Sequence, residues 1–248
     1  GDWFRPARWK GEEGYIVSEK ITFKVFRYDR KKDDPPKFQS YTVEWEPGMT
    51  VLSGLLKIQA EQDGSLALRS ACRAGICGSC AMHINGKYRL ACETQVKNLG
   101  RVVKVRPLGH FEVVKDLVVE MEPFWSKYRS VKPYLIPGEP PPAPDHERVQ
   151  SPDDRLKLDT ITDCILCAAC HSACTMTALD DEYLGPAILT KVDRFVSDSR
   201  DSADHERLEM ASGDHGVWRC HTIFNCQNVC PKDIDPAGSI AHLKRLCM

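Results

Sequence analysis

The chain has 248 residues, 42% of them apolar, with 34 Lys and Arg against 35 Asp and Glu for a net charge of −1. That length makes one large or two ordinary domains, and the balanced charge implies no nucleic-acid partner. No apolar run approaches the ~18 residues that a membrane-crossing helix needs, so any membrane contact must come through a partner.

Residues 1–19 are polar and aromatic (Trp3, Trp9) and contain no signal-peptide core. Ile21, Phe23 and Val25 alternate, as do Tyr41, Val43 and Trp45, which predicts two strands. The charged stretch from Lys31 to Pro36 joins them as a long hairpin. After the turn Glu46-Pro47-Gly48, Thr50 is placed to cap a helix whose inner face carries Val51, Leu55 and Ile58.

The next segment reads Ser70-Ala-Cys72-Arg-Ala-Gly-Ile-Cys77-Gly-Ser-Cys80, followed by Ala81–Ile84, Asn85-Gly86 and Lys87–Cys92. An Asn-Gly pair between short strands is a strong hairpin signal. A two-residue turn there sets Cys80 opposite Ala91, one position from Cys92, and so carries a cysteine twelve residues on to the same site. Cys72, Cys77, Cys80 and Cys92 have the plant-type [2Fe-2S] spacing. Gly75 and Gly78 suit it because bare backbone wraps closely and aims N–H groups at sulfur. Arg73 reads as a solvated loop charge, and Arg101–Arg106 supplies the strand that closes the sheet.

Val114, Leu117, Val118 and Met121 have helical period, interrupted at Pro123 before Phe124, Trp125 and Tyr128. Residues 133–152 are dense in proline, including Pro140-Pro-Pro142, and read as a stiff extended connector. Further on, Pro186 starts a helix with Ile188, Leu189, Val192, Phe195 and Val196 inward. Residues 197–215 are polar, loop-like or weakly helical. Asp235 and Pro236 open a last helix with Ile240, Leu243 and Leu246 inward.

Two cysteine runs flank that middle helix. The first is Cys164-Ile-Leu-Cys167-Ala-Ala-Cys170-His-Ser-Ala-Cys174, and the second is Cys220-His-Thr-Ile223-Phe-Asn-Cys226-Gln-Asn-Val-Cys230-Pro231. Both follow the C-x2-C-x2-C-x3-C pattern of two-cluster bacterial ferredoxins, in which the fourth cysteine of each run ligates the other cluster. Counting on that rule, Cys164, Cys167, Cys170 and Cys230 suit a [4Fe-4S] cluster. Cys174, Cys220 and Cys226 leave Ile223 where a fourth thiolate would be, which favours a [3Fe-4S] cluster.

The chain has twelve cysteines. A disulfide scaffold belongs to small secreted chains, and structural zinc uses paired C-x2-C spacings rather than runs of three or four. The remaining cysteine, Cys247, reads as a non-ligand thiol, and Trp218 as a core residue. His171, between two ligands, reads as a solvated residue or one that supports a ligand. The expected fold is α+β: a β-grasp plant-type [2Fe-2S] ferredoxin domain over residues 1–112, then an all-α, two-cluster bacterial-ferredoxin-like domain over 113–248.

This combination resembles the iron–sulfur subunit of succinate dehydrogenase and fumarate reductase, respiratory complex II. The local segments Tyr128-Arg-Ser-Val-Lys-Pro-Tyr134, Gly185-Pro186 with Asp198-Ser-Arg-Asp201, and Asn228-Val-Cys-Pro-Lys232 also look like signatures of that family. The resemblance implies a partner flavoprotein subunit that oxidises succinate on FAD, membrane-anchor subunits and a quinone acceptor. It places the chain peripherally, on the cytoplasmic face of a bacterial membrane or the matrix side of a mitochondrial one. It also implies a quinone-side role for His221, beside Cys220. The chain departs from the pattern after Cys174, where Thr175-Met176-Thr177 stands in place of the family's proline and tryptophans. The sequence admits two further readings: a quinol:fumarate reductase subunit, and a multi-cluster carrier with no membrane partner.

Overall fold

The computed structural model describes residues 20–32, 35–138, 140, 143 and 146–248. Trp3, Trp9, part of the first hairpin loop and part of the proline connector lie outside the described residues.

Strands β1 (Lys20–Arg27) and β2 (Lys37–Glu44) pair antiparallel, with Phe23 opposite Tyr41. Helix α1 (Val51–Glu61) follows, and β3 (Ala81–Ile84), β4 (Lys87–Leu90) and β5 (Val102–Arg106) complete a sheet of order β2-β1-β5-β3-β4. The closing strand therefore lies mid-sheet. β5 runs parallel to β1 and antiparallel to β3, so both of its edges are paired.

Period-two burial explains the strands: Ile21, Phe23 and Val25 on β1 and Val103 and Val105 on β5 face one core, which Val51, Leu52, Leu55 and Ile58 of α1 cover. Thr50 Oγ1 accepts from Ser53 N at 3.1 Å and Ser53 Oγ accepts from Thr50 N at 2.9 Å, the reciprocal cap that starts α1. A methyl group at Gly54 would lie 2.4 Å from Phe23 Cζ. The helix thus accepts a propensity loss of about 0.5–1 kcal/mol in order to sit down on the sheet.

The helix expected over 114–121 is a hairpin instead, β6 (Val113–Lys115) with β7 (Val118–Val119). The run is rich in β-branched valine, and Asp116 turns the chain at φ 48°. The Asp116 carboxylate is buried and accepts from Arg27 Nε (2.9 Å), Tyr28 N (3.1 Å) and Ala67 N (2.9 Å). These long-range bonds tie the hairpin to the first sheet and override the helical spacing of its apolar residues.

The rest is helical: α2 (Glu122–Ser130), α3 (Pro152–Leu156), α4 (Ala169–Ala173), α5 (Met176–Leu179), α6 (Pro186–Val196), α7 (Asp204–Ser212), α8 (Asn225–Asn228) and α9 (Pro236–Leu246). Pro123 falls in the first turn of α2 and so initiates the helix. Helices α6 and α9 pack through Ile188, Leu189, Val192, Ile240 and Leu243, and His242 Nδ1 lies 2.6 Å from Asp193 Oδ1 between them. Leu246, expected inward, is exposed at the last turn.

Part of the polar stretch 197–215 is the well-formed helix α7. Its Arg207 is buried, pairs with Asp201 (2.9 and 3.1 Å) and donates to the carbonyls of Val131, Lys132 and Tyr134. Polar composition disguised a helix whose anchor is a buried cation.

Candidate metal centres

The first centre is the loop 70–80 between α1 and β3. Arg73, Gly75 and Gly78 all have positive φ (57°, 69° and 73°), which coils the backbone around the cysteines. The N–H groups of Ala74, Ile76 and Cys77 converge on Cys72 Sγ at 3.3–3.4 Å, and Cys72 N donates to Cys77 Sγ at 3.5 Å. The Ser79 hydroxyl, with the N–H groups of Cys72 and Ser79, draws the Cys77 thiol down to about 6.

Cys80 stands at the foot of β3. Ala91 N donates to its carbonyl at 3.0 Å, the register that the Asn85-Gly86 turn predicts. Burial pushes the Cys80 thiol up to about 12; the Cys92 N–H opposes this and the Cys92 thiol adds to it, so the two thiols are neighbours. Arg73 is exposed, as expected, and so is Ile76.

The other two centres are built by a structural repeat. In each run a single 3-10 turn (Ile161–Asp163; Val217–Arg219) leads into the first cysteine. Two left-handed residues follow at matching positions: Leu166 and Ala168 (φ 54° and 60°) in one run, Thr222 and Phe224 (φ 55° and 63°) in the other. A short helix, α4 or α8, then carries the cysteine at the third position of the pattern, Cys170 or Cys226. Non-glycine residues held in this region are strained and concentrate at functional sites. The repeat extends to the supports: Lys191 Nζ of α6 donates to Cys164 O (3.4 Å), and Lys244 Nζ of α9 to Cys220 O (2.8 Å).

Cys164, Cys167, Cys170 and Cys230 line one cavity with Ala187 and Ile234. Burial pushes the Cys170 thiol well above its ordinary value, and Cys167, Cys164 and Cys230 push it further. Burial likewise takes Cys167 up to about 11, with Cys164 and Cys230 adding. Cys174, Cys220 and Cys226 line a second cavity with Tyr183, Pro186 and Ile223. There burial, then Cys174 and Cys220, raise Cys226 to about 11.

The exit cysteine of each run therefore faces the other run's thiols. Among the described residues, no three His, Cys, Asp or Glu side chains are set to hold a single metal ion. The thiols ring cavities instead. Buried sulfurs that raise one another's pKa suit a bound cation, which stabilises them as thiolates.

Ile223 occupies the position that Cys167 holds in the first run and is 52% exposed at the mouth of the second cavity. His221 is exposed on the same rim, beside Thr175 and Met176. Two expectations are corrected. Trp218 is 48% exposed, because the 3-10 turn buries its neighbour Val217 instead. His171 is not solvated, which leaves the other half of its expectation: it is 5% exposed and packs against Phe111 and Phe124, and burial pushes its pKa down to about 3. Cys247 lies away from both cavities, near Leu208 O.

Sequence reasoning missed Lys191, Lys244 and Tyr183. The lysines had one signal, a cation on the helix that follows each run, whereas nothing marked the tyrosine.

Comparison with known proteins gives two family matches, a "2Fe-2S iron-sulfur cluster binding domain" over residues 22–126 and a "4Fe-4S dicluster domain" over 160–234. The chain is 44% identical, over 230 residues, to the mitochondrial succinate dehydrogenase [ubiquinone] iron-sulfur subunit 1 of Oryza sativa; the match covers 91% of this chain and 81% of the relative. Among solved structures, a chain of the Mycobacterium smegmatis Sdh1 complex in the apo form superposes with a TM-score of 0.82 at 30% identity, covering 93% of this chain and 96% of that one. A Helicobacter pylori hypothetical protein shares the fold at 18% identity and a TM-score of 0.58, with 94% of this chain and 41% of that one covered.

Proposed function

Because the chain belongs to the family of succinate dehydrogenase iron–sulfur subunits, we propose that three clusters in series carry single electrons through it, from the FAD of a partner subunit toward a quinone held by a membrane anchor. The chain is the electron-transfer subunit of an oxidoreductase, and the dicarboxylate chemistry belongs to its partner. Iron–sulfur clusters supply one-electron chemistry at potentials set by burial and by hydrogen bonds to sulfur.

The chain's own residues do the rest. Cys72, Cys77, Cys80 and Cys92 hold the [2Fe-2S] cluster, and the loop N–H groups that converge on Cys72 Sγ stabilise its negative charge. Cys164, Cys167, Cys170 and Cys230 hold the [4Fe-4S] cluster, while Cys174, Cys220 and Cys226 hold a [3Fe-4S] cluster. The crossed exits of the two runs carry this reading: Cys230 lines the first run's cavity and Cys174 the second's.

The sheet order, with a parallel β1–β5 pair beneath α1, supports a β-grasp reading of the N-terminal part. The repeated runs support a bacterial-ferredoxin-like reading of the helical part. The hairpin tied to β1 by Asp116 moves the proposed boundary from residue 112 to the start of α2, near residue 122.

Among the described residues no helix is long and apolar enough to cross a membrane. Exposed Ile223 and Phe224, which line the second cavity, support docking of its rim on an anchor subunit, with His221 on the quinone side. That arrangement keeps the chain peripheral, on the cytoplasmic or matrix side.

The test is low-temperature EPR on the complex purified from native membranes through a tag on this chain. Succinate should reduce the clusters and bleach an oxidised-state [3Fe-4S] signal. Clusters that stay oxidised in succinate would remove the substrate assignment.

A further inference from the structure

Tyr183 is fully buried, at 0% exposure, and its hydroxyl has no hydrogen-bond partner among the described residues. Buried polar groups are rarely left unpaired, because the lost hydration is not replaced. A hydroxyl retained at such a place implies a partner that arrives with something else. The side chain lines the cavity of Cys174, Cys220 and Cys226. It does not line the cavity of Cys164, Cys167, Cys170 and Cys230.

Its placement is rigid. Tyr183 N donates to Asp180 Oδ1 at 3.2 Å, Tyr183 O accepts from Lys127 Nζ at 2.8 Å, and the next residue, Leu184, donates its N–H to His215 O at 2.9 Å. Pro186 then starts α6 and lines the same cavity. A segment fixed on both sides holds the phenol in one orientation, which is what a preorganised donor needs.

We infer that Tyr183 donates its O–H to sulfur of the cluster held by Cys174, Cys220 and Cys226, and that this hydrogen bond makes that cluster easier to reduce. The inference rests on the three-thiolate reading above. Its physical basis is charge. Sulfur gains negative charge when one electron arrives from the neighbouring four-thiolate centre, which is thereby oxidised, and a hydrogen bond to sulfur strengthens as that charge grows. Tyr183 acts only as a hydrogen-bond donor and keeps its proton. The step moves one electron and no proton.

The experiment compares the assembled complex with its Tyr183→Phe variant, which keeps the ring and removes only the hydroxyl. Redox titration followed by EPR reads the potential of the [3Fe-4S] signal, and proton ENDOR in light and heavy water reads exchangeable protons near the cluster. We expect a [3Fe-4S] signal of unchanged intensity, a potential shifted to more negative values, and loss of one exchangeable coupling that the unmodified complex shows. An intact signal with unchanged potential and unchanged couplings would overturn the donor role while leaving the three-thiolate reading in place. Absence of the [3Fe-4S] signal from the unmodified complex would overturn that reading, and the donor role with it. The ENDOR comparison on the unmodified complex needs no variant, so a Tyr183→Phe protein that fails to assemble still leaves the inference open to disproof.

Discussion

Gly78 of the first cysteine loop lies against Cys167 of the second centre. A methyl group at Gly78 would come within 3.0 Å of both Cα and Cβ of Cys167, and within 2.9 Å of the carbonyl oxygen of Ile165. Two loops that belong to different parts of the fold thus touch through the one residue type that leaves room for it. Electron tunnelling falls steeply with distance, so this contact bears directly on transfer between the first two centres.

Gly78→Ala should force the loops apart by at least a few tenths of an ångström. The expected result is a weaker magnetic interaction between the [2Fe-2S] and [4Fe-4S] signals and slower reduction of the second by the first in freeze-quenched samples. Gly78 also has φ 73°, so alanine strains the loop itself. Gly100→Ala, at φ 80° with nothing within 4 Å, is the control for strain without contact. Equal magnetic coupling in both variants would show that the contact does not set the spacing.

Ile223→Cys should convert the third centre. Thr222 and Phe224 already hold the backbone in the conformation that Leu166 and Ala168 give to Cys167. On the three-thiolate reading proposed above, a thiol there completes a four-thiolate set, so iron content should rise from about nine (two, four and three) to about ten per chain and the oxidised-state paramagnetic signal should disappear. Iron analysis and EPR on the same sample check this; an unchanged nine-iron protein would mean that Ile223 does not face the cluster's open corner.

Arg207→Met removes a buried cation that satisfies Asp201 and three backbone carbonyls. Breaking such a pair from one side leaves an uncompensated buried charge and costs about 3–5 kcal/mol. The variant complex should melt at a clearly lower temperature by differential scanning fluorimetry, with its cluster signals intact before heating. An unaltered midpoint would show that Asp201 finds another partner.

Tyr41 offers an alkaline test. Burial pushes its phenol up to about 12, helped by its hydrogen bond to Asp63 Oδ2 at 2.6 Å and opposed by Arg27. A folded-state pKa above the unfolded value means that this contribution is fully present below about pH 10 and is lost as pH rises toward 12. Tyr41→Phe should therefore lose less stability than the parent between those limits, measured as melting temperature against pH. Parallel curves would sink the assignment.

Much of this molecule is written locally. Cysteine spacing marks the 70–80 loop and the two runs locally, whereas the exits Cys174 and Cys230 reach the other run's cavity only through the tertiary fold. The Asn85-Gly86 turn carried Cys92 to the loop's site, and Thr50, Pro186 and Pro236 marked their helices through capping chemistry that needs no tertiary partner. Long-range pairing decided the rest. The valine-rich run 113–119 became a hairpin because Asp116 found Arg27, Tyr28 and Ala67 far away in sequence. Helix α7 held because Arg207 found the carbonyls of Val131, Lys132 and Tyr134. His171 went into an aromatic pocket, and Trp218 came out because a 3-10 turn can bury only one of two adjacent residues. The hydroxyl of Tyr183 and the bare Cα of Gly78 carry no local signal at all. Their meaning lies in what packs against them, and packing is decided only when the whole chain has folded.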